Sequence, residues 1–268
     1  MSYVPALPGG GYIGWLTLKR TKQTQQAVFD NQSRIKREEA YFREKIASVK
    51  TAEDLVSDRR LLTVALGAFG LEDDINNRAF IRKVLEEGTL REGALATRLS
   101  DKRYGALSSA FGFGDLSIPN TVMSDFPDRI LKQWKERGFE VAVGKVDDSL
   151  RLAMNAQREV TEIARRNTSD AARWYGIMGQ RPLRQVFETV FGLPTAFGLL
   201  DIERQQQILR QKTNAMFGDG GVAQFADPAK MERLVQTYLI KVQSGAASVA
   251  SQPGQTALTL LSQMSLRR

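Results

Sequence analysis

The chain has 268 residues and a formal net charge of +8, from 38 basic and 30 acidic side chains, and it contains neither cysteine nor histidine. Without cysteine there is no disulfide, thiolate metal site or cysteine nucleophile; without histidine there is no Ser-His-Asp triad and no imidazole base or ligand. Catalysis by Lys, Tyr or carboxylates stays open, but the composition points towards a structural or binding protein.

Residues 1–18 read as a flexible leader, because Pro5, Pro8 and Gly9–Gly11 interrupt the apolar run. Positive charge follows that run at Lys19 and Arg20 instead of preceding it, so no cleavable secretory signal is expected. From Lys19 to about Lys50 there is no Pro or Gly, and Val28, Ile35, Phe42 and Val49 recur every seven residues. That spacing predicts one long polar helix over 19–50 with a narrow apolar stripe. Asn31, Glu38 and Lys45 fill the complementary heptad positions and spoil an autonomous coiled coil. The stripe is therefore expected to lie on the body or on a partner.

A helical body is expected over 51–243. Thr51 with Asp54 forms a capping signal, and the apolar residues from Leu55 to Ala65 continue a helical pattern. Asn77 to Glu87 reads as another helix, and Ser100 as the N-cap of a third that runs through Ala110. Pro127 opens the next helix, and a long one follows from about Asp147 to Arg165. Ser169, Pro182, Asp201 and Pro228 mark the starts of four more. Sustained β alternation is almost absent, so the fold class is all-α. Residues 244–268 read as a flexible tail, a small-residue linker ending in an apolar patch at Leu258, Leu260, Leu261 and Met264. The uncharged run from Gln243 to Leu266 is too rich in Ser, Gln and Gly for a membrane span.

One motif occurs twice. In "LLTVALGAFGLE" and "LRQVFETVFGLP", Leu61, Val64, Phe69, Gly70 and Leu71 match Leu183, Val186, Phe191, Gly192 and Leu193. The shared glycine reads as a helix C-cap in the left-handed region, which glycine enters without a Cβ penalty. Gly70 and Gly192 are thus structural capping residues, with Phe69 and Leu71 expected to be buried and Gly67, if it matters, to serve close helix contact. The echo suggests a compact body of two related helical units, about 55–118 and 182–243, joined by helices over 127–179.

Chemical motifs are weak. Gly112 and Gly114 lack the strand, third glycine and lysine of a phosphate loop. Glu72, Asp73 and Asp74 lack the spacing of a calcium loop. Lys102 and Tyr104 could be imagined as a catalytic pair, but acids and bases at a helix start more often cap and pair locally. No catalytic, cofactor or metal residue is assigned. The basic excess is spread along the chain rather than concentrated, and reads as a solvated surface, with nucleic-acid binding as the alternative.

At "ALGAFGLEDDINNRAFIRKVLEEG", "LATRLSDKRYGALSSAFGFG" and "ARWYGIMGQRPLRQVFETVFGLP" the chain resembles a bacterial family catalogued as domain of unknown function 1217. The resemblance covers roughly Leu55 to Val242. Members of that family are often encoded among flagellar genes, which implies a role in flagellar structure, assembly or export. It offers no catalytic residues to carry over. The expectation is a non-enzymatic protein of the flagellum or cytoplasm, binding other flagellar proteins or itself. Its contact surfaces are expected at Val28, Ile35, Phe42 and Val49 and at the patch 258–264.

Overall fold

The computed structural model describes residues 3–250, with the backbone alone for residues 195 and 246–250. Among the described residues there are thirteen α-helices and no strand. At the centre, α8 (Phe126–Gly144) and α9 (Asp148–Arg165) fold back on each other. Asp147 makes the turn, because its carboxylate accepts from the Ser149 and Leu150 amides (2.9 and 3.3 Å) and so caps α9.

Other helices cover the two faces of this hairpin. α4 (Arg59–Phe69) lies on α8, and α2 (Ser33–Lys45) lies on α4. α11 (Arg181–Phe191) and α13 (Pro228–Ala250) lie on α9. α1 (Gly11–Asp30) packs along α13 and touches both central helices. α3 (Ala52–Ser57), α5 (Arg78–Glu87), α6 (Leu95–Arg98) and α7 (Arg103–Phe111) close the α4 side. α10 (Asp170–Met178) and α12 (Ile202–Phe217) complete the other. One apolar core joins both sides. On the α9 side, Trp174 meets Phe187 edge-on at 5.5 Å, Phe187 meets Phe225 at 5.9 Å, and the indole N–H donates to the Gly220 carbonyl at 3.2 Å.

Several caps follow the residue types. Thr51 and Asp54 form a reciprocal capping box (3.1 and 3.0 Å). Ser169 and Asp201 cap α10 and α12 through the amides of Ala172 and Arg204. Such caps stabilise a helix end by about 1 kcal/mol each.

The expected leader is corrected. Helix α1 begins at Gly11, and Trp15 and Leu18 are each 1% exposed. The glycines serve close packing here: a Cβ on Gly14 would stand 2.1 Å from the Gly9 carbonyl oxygen. Ahead of the helix, Tyr3 packs edge-on against Phe29 at 5.7 Å, and the Gln25 amide bonds both the N–H and the carbonyl of Ala6.

The single helix expected over 19–50 is also corrected. Asn31 ends α1, its side-chain amide donating to the Ala27 carbonyl at 2.8 Å, and Gln32 is extended before α2 starts. The break rotates the stripe, so Phe29 takes the inward place and Val28 is left 54% exposed. Ile35, Phe42 and Val49 are at most 4% exposed and belong to the core, not to a contact surface. The expected tail is helical from residue 244 through Ala250, and Leu258, Leu260, Leu261 and Met264 lie outside the described residues. No described helix is long and apolar enough to cross a membrane.

Candidate functional site

α4 buries Leu61, Leu62, Val64, Ala65, Leu66 and Phe69. Gly67 admits α8 closely, since a Cβ there would lie 2.7 Å from Trp134 Cδ1. The helix stops at Gly70, at φ 70° and ψ 35°, a conformation that costs a residue with a Cβ about 1–2 kcal/mol. The Leu71 amide donates to the Leu66 carbonyl (2.9 Å) and the Gly70 amide to that of Gly67 (3.4 Å), the bond pair of a Schellman end. Gly192 ends α11 at φ 59° with the same pair, from Leu193 to Glu188 (2.9 Å) and from Gly192 to Thr189 (3.2 Å).

The two ends differ in what surrounds them. At Gly70 the Arg103 guanidinium donates to the glycine carbonyl, and Arg137 Nη1 lies 3.1 Å from where a Cβ would be. Cations here also meet the negative end of the α4 dipole. Around Gly192 there is open space.

These arginines open a buried charged network. Arg137 Nη2 donates to Glu159 Oε1 at 2.6 Å, and Arg158 donates to the same oxygen. Arg158 also forks onto both Glu140 oxygens at 2.9 Å, the bidentate geometry that suits guanidinium to carboxylate. Asp101 holds Arg103 at 2.7 Å. Glu140 and Glu159 are 6% and 5% exposed. Burial by itself pushes the Glu159 carboxyl up, but Arg137 and Arg158 outweigh it and bring the group below its ordinary range. Burial and the nearby Arg158 charge pull the Arg137 guanidinium down, against Glu159. For Arg158, burial is outweighed by the Glu140 hydrogen bonds, and its pKa rises.

Above this network lies an open hollow of about 410 Å³, walled by Arg129, Lys132 and Glu136 of α8, by Glu162 of α9 and by Arg166 just past its end. A second hollow, about 860 Å³, runs beside Ser100, Gly179, Arg181 and Gly192. The two hollows are neighbours, since Lys102 and Gln180 line the first and Asp101 and Gly179 the second; together they are called the trough. Ser100 lines it but caps no helix, which is a correction. Asp101 accepts from the Arg103 amide instead (3.0 Å), and its reach shifts the start of α7 past Ser100.

A second surface feature follows α7. Leu116, Ile118, Val122 and Met123 are 47%, 68%, 44% and 50% exposed. The loop carrying them is pinned. Asp115 Oδ1 accepts from the Thr89 and Leu90 amides (2.6 and 2.9 Å), Asn120 donates to the Ala110 carbonyl (3.0 Å), and Thr121 donates to the Val49 carbonyl (2.6 Å). The aliphatic side chains are therefore held outward by an ordered backbone. In the sequence this loop reads only as a turn, by its Gly and Pro content; four large aliphatics within eight residues are the signal that marks it.

The other chemical signals disperse. Lys102 Nζ donates to the Thr97 and Leu99 carbonyls at 3.2 and 2.9 Å, while the Tyr104 hydroxyl donates to Asp74 at 2.6 Å. Burial and Asp74 push that hydroxyl well above its ordinary range. Gly112 is the left-handed end of α7, and Gly114 lies against the Glu86 backbone. No group of three acids is gathered for a metal ion among the described residues.

No curated protein matches the sequence. The fold is similar to the X-ray crystal structure of protein AGR_C_984 from Agrobacterium tumefaciens, with a TM-score of 0.73 and 26% identity over 90% of this chain and 98% of that one. Residues 68–231, which hold the Gly70 end, the buried network, the trough and the aliphatic loop, match the family described as Protein of unknown function (DUF1217). The chain belongs to that family.

Proposed function

We propose that the protein is a non-enzymatic, flagellum-associated structural or assembly component that works through contacts with other flagellar proteins or with further copies of itself. The observation that carries this reading is the pinned loop with Leu116, Ile118, Val122 and Met123 held in solvent. Grouped aliphatics on an ordered loop suit a protein contact, because little conformational freedom is lost when a partner covers them. The flagellar setting comes from the family resemblance alone. The non-enzymatic part is supported by the separation of Lys102 from Tyr104 and by the pairing of Glu140 and Glu159 within the fold.

A basic nucleic-acid-binding regulator is the second reading, favoured by the net charge of +8. Purified basal bodies and filaments, compared with cytosol by immunoblot, test the first. Co-purification with the flagellar fraction, reduced in Ile118→Asp/Met123→Asp, is the expected result. A protein confined to the cytosol, with no flagellar partner after cross-linking, would overturn it.

A further inference from the structure

We propose that the trough between α7, α8, α9 and α11 takes an acidic segment of another protein, one with spaced carboxylates among apolar side chains. The proposal rests on the protein-contact reading but concerns a different surface, since the aliphatic loop lines neither hollow.

The argument begins with which charges are already used. On the floor, Arg103, Arg137 and Arg158 are matched by Asp101, Glu140 and Glu159. On the walls, Arg129 pairs with Asp125, Arg166 with Glu162 and Arg184 with Glu188. What is left along the trough is Lys102, Lys132 and Arg181, against Glu136. Lys102 is held only by backbone carbonyls. Lys132 and Arg181 are exposed and have no acidic partner among the described residues. These three cations are distributed over both hollows, so the surplus is spread along the trough and not concentrated at one point.

The floor between them is not purely polar. Phe69 faces the first hollow, and Met178 and Leu193 face the second. Gln133 and Gln185 add exposed amides on the walls, able to bond a peptide backbone. Rigidity comes from below, because the paired network fixes the walls before anything binds.

A nucleic acid fits less well. Glu136, Glu162 and Glu188 sit on the same walls and would face a continuous phosphate chain. The lining offers no exposed aromatic ring on which a base could stack. A protein segment can place carboxylates at the free cations and leave neutral residues beside the wall acids, which phosphates at every step cannot do.

The test uses the full chain and fluorescence anisotropy with two labelled probes: a short peptide of interspersed glutamate and leucine, and a single-stranded DNA of equal charge. The peptide is expected to bind at low salt. Lys132→Glu/Arg181→Glu should weaken it by about tenfold or more, and Arg20→Glu/Lys22→Glu, with the same change in net charge outside the trough, should leave it nearly unchanged. Ile118→Asp/Met123→Asp should also leave it unchanged, which separates failure of this proposal from failure of the loop reading. Equal loss in both charge-reversal variants, no peptide binding at low salt, or tighter DNA binding that the trough variant abolishes would each overturn the proposal.

Discussion

The Arg103 guanidinium donates to the carbonyl of Gly70, closing the end of α4 with a cation from α7. Gly70 therefore does two things at once. Its positive φ turns the chain, and its missing side chain leaves room for Arg137, whose Nη1 would stand 3.1 Å from a Cβ.

Gly192 supplies the control for that statement, because it has the same φ sign and the same bond pair with open space around it. Gly192→Ala should cost about 1–2 kcal/mol, the strain of the left-handed region alone. Gly70→Ala should cost more, because a guanidinium must also move. Urea unfolding of both variants measures the difference. Equal losses would show that the arginine contacts add nothing to the glycine requirement.

That comparison also shows what the sequence could carry. The echo around Phe69–Gly70–Leu71 and Phe191–Gly192–Leu193 was legible because backbone capping depends on local residue type. The arginines at Gly70 were not, since Arg103 and Arg137 arrive from helices that are distant in sequence. The same distinction explains the stripe. A seven-residue spacing of Val28, Ile35, Phe42 and Val49 measures periodicity, but it does not register a helix break at Asn31–Gln32 that contains neither Gly nor Pro. Burial of Ile35 and Phe42 depends on α4 lying over α2, which is a tertiary fact.

The N-terminal segment gives a direct test of the corrected leader. Removing residues 1–10 would strip Tyr3 from Phe29 and Phe139 and leave the Gln25 amide without its Ala6 partners. Gln25 keeps its bond to the Thr21 hydroxyl at 2.8 Å, so the two hydrogen bonds lost with Ala6 should cost about 0.5–1.5 kcal/mol each. A lowered urea midpoint is expected. A truly flexible leader would leave the midpoint where it was.

Gly67 tests helix contact by crowding. A Cβ at this position would approach Trp134 Cδ1 to 2.7 Å, inside the contact between α4 and α8. Gly67→Ala improves intrinsic helix propensity by up to about 1 kcal/mol. Overpacking a tight core typically costs about 1–3 kcal/mol, so net destabilisation is expected in thermal unfolding, with a changed tryptophan emission. A stabilised Gly67→Ala would mean that the indole moves aside freely.

Glu159 makes the sharpest prediction, because its effect has a sign in pH as well as in stability. Its carboxylate is 5% exposed and accepts from both Arg137 and Arg158. Glu159→Gln keeps the shape but takes from the buried Arg137 its hydrogen-bonded counter-charge, while Arg158 retains Glu140. Breaking a buried pair in this way costs about 3–5 kcal/mol. Because the folded pKa of Glu159 lies below its unfolded value, the stabilisation is fully present above the unfolded carboxylate range. It is lost as pH falls through the folded pKa. The stability gap between the wild-type chain and Glu159→Gln should therefore be widest near neutral pH and narrow under acid conditions. Urea unfolding across that range reads it directly. A gap that stays constant with pH would assign the loss to the amide's packing and not to the ion pair.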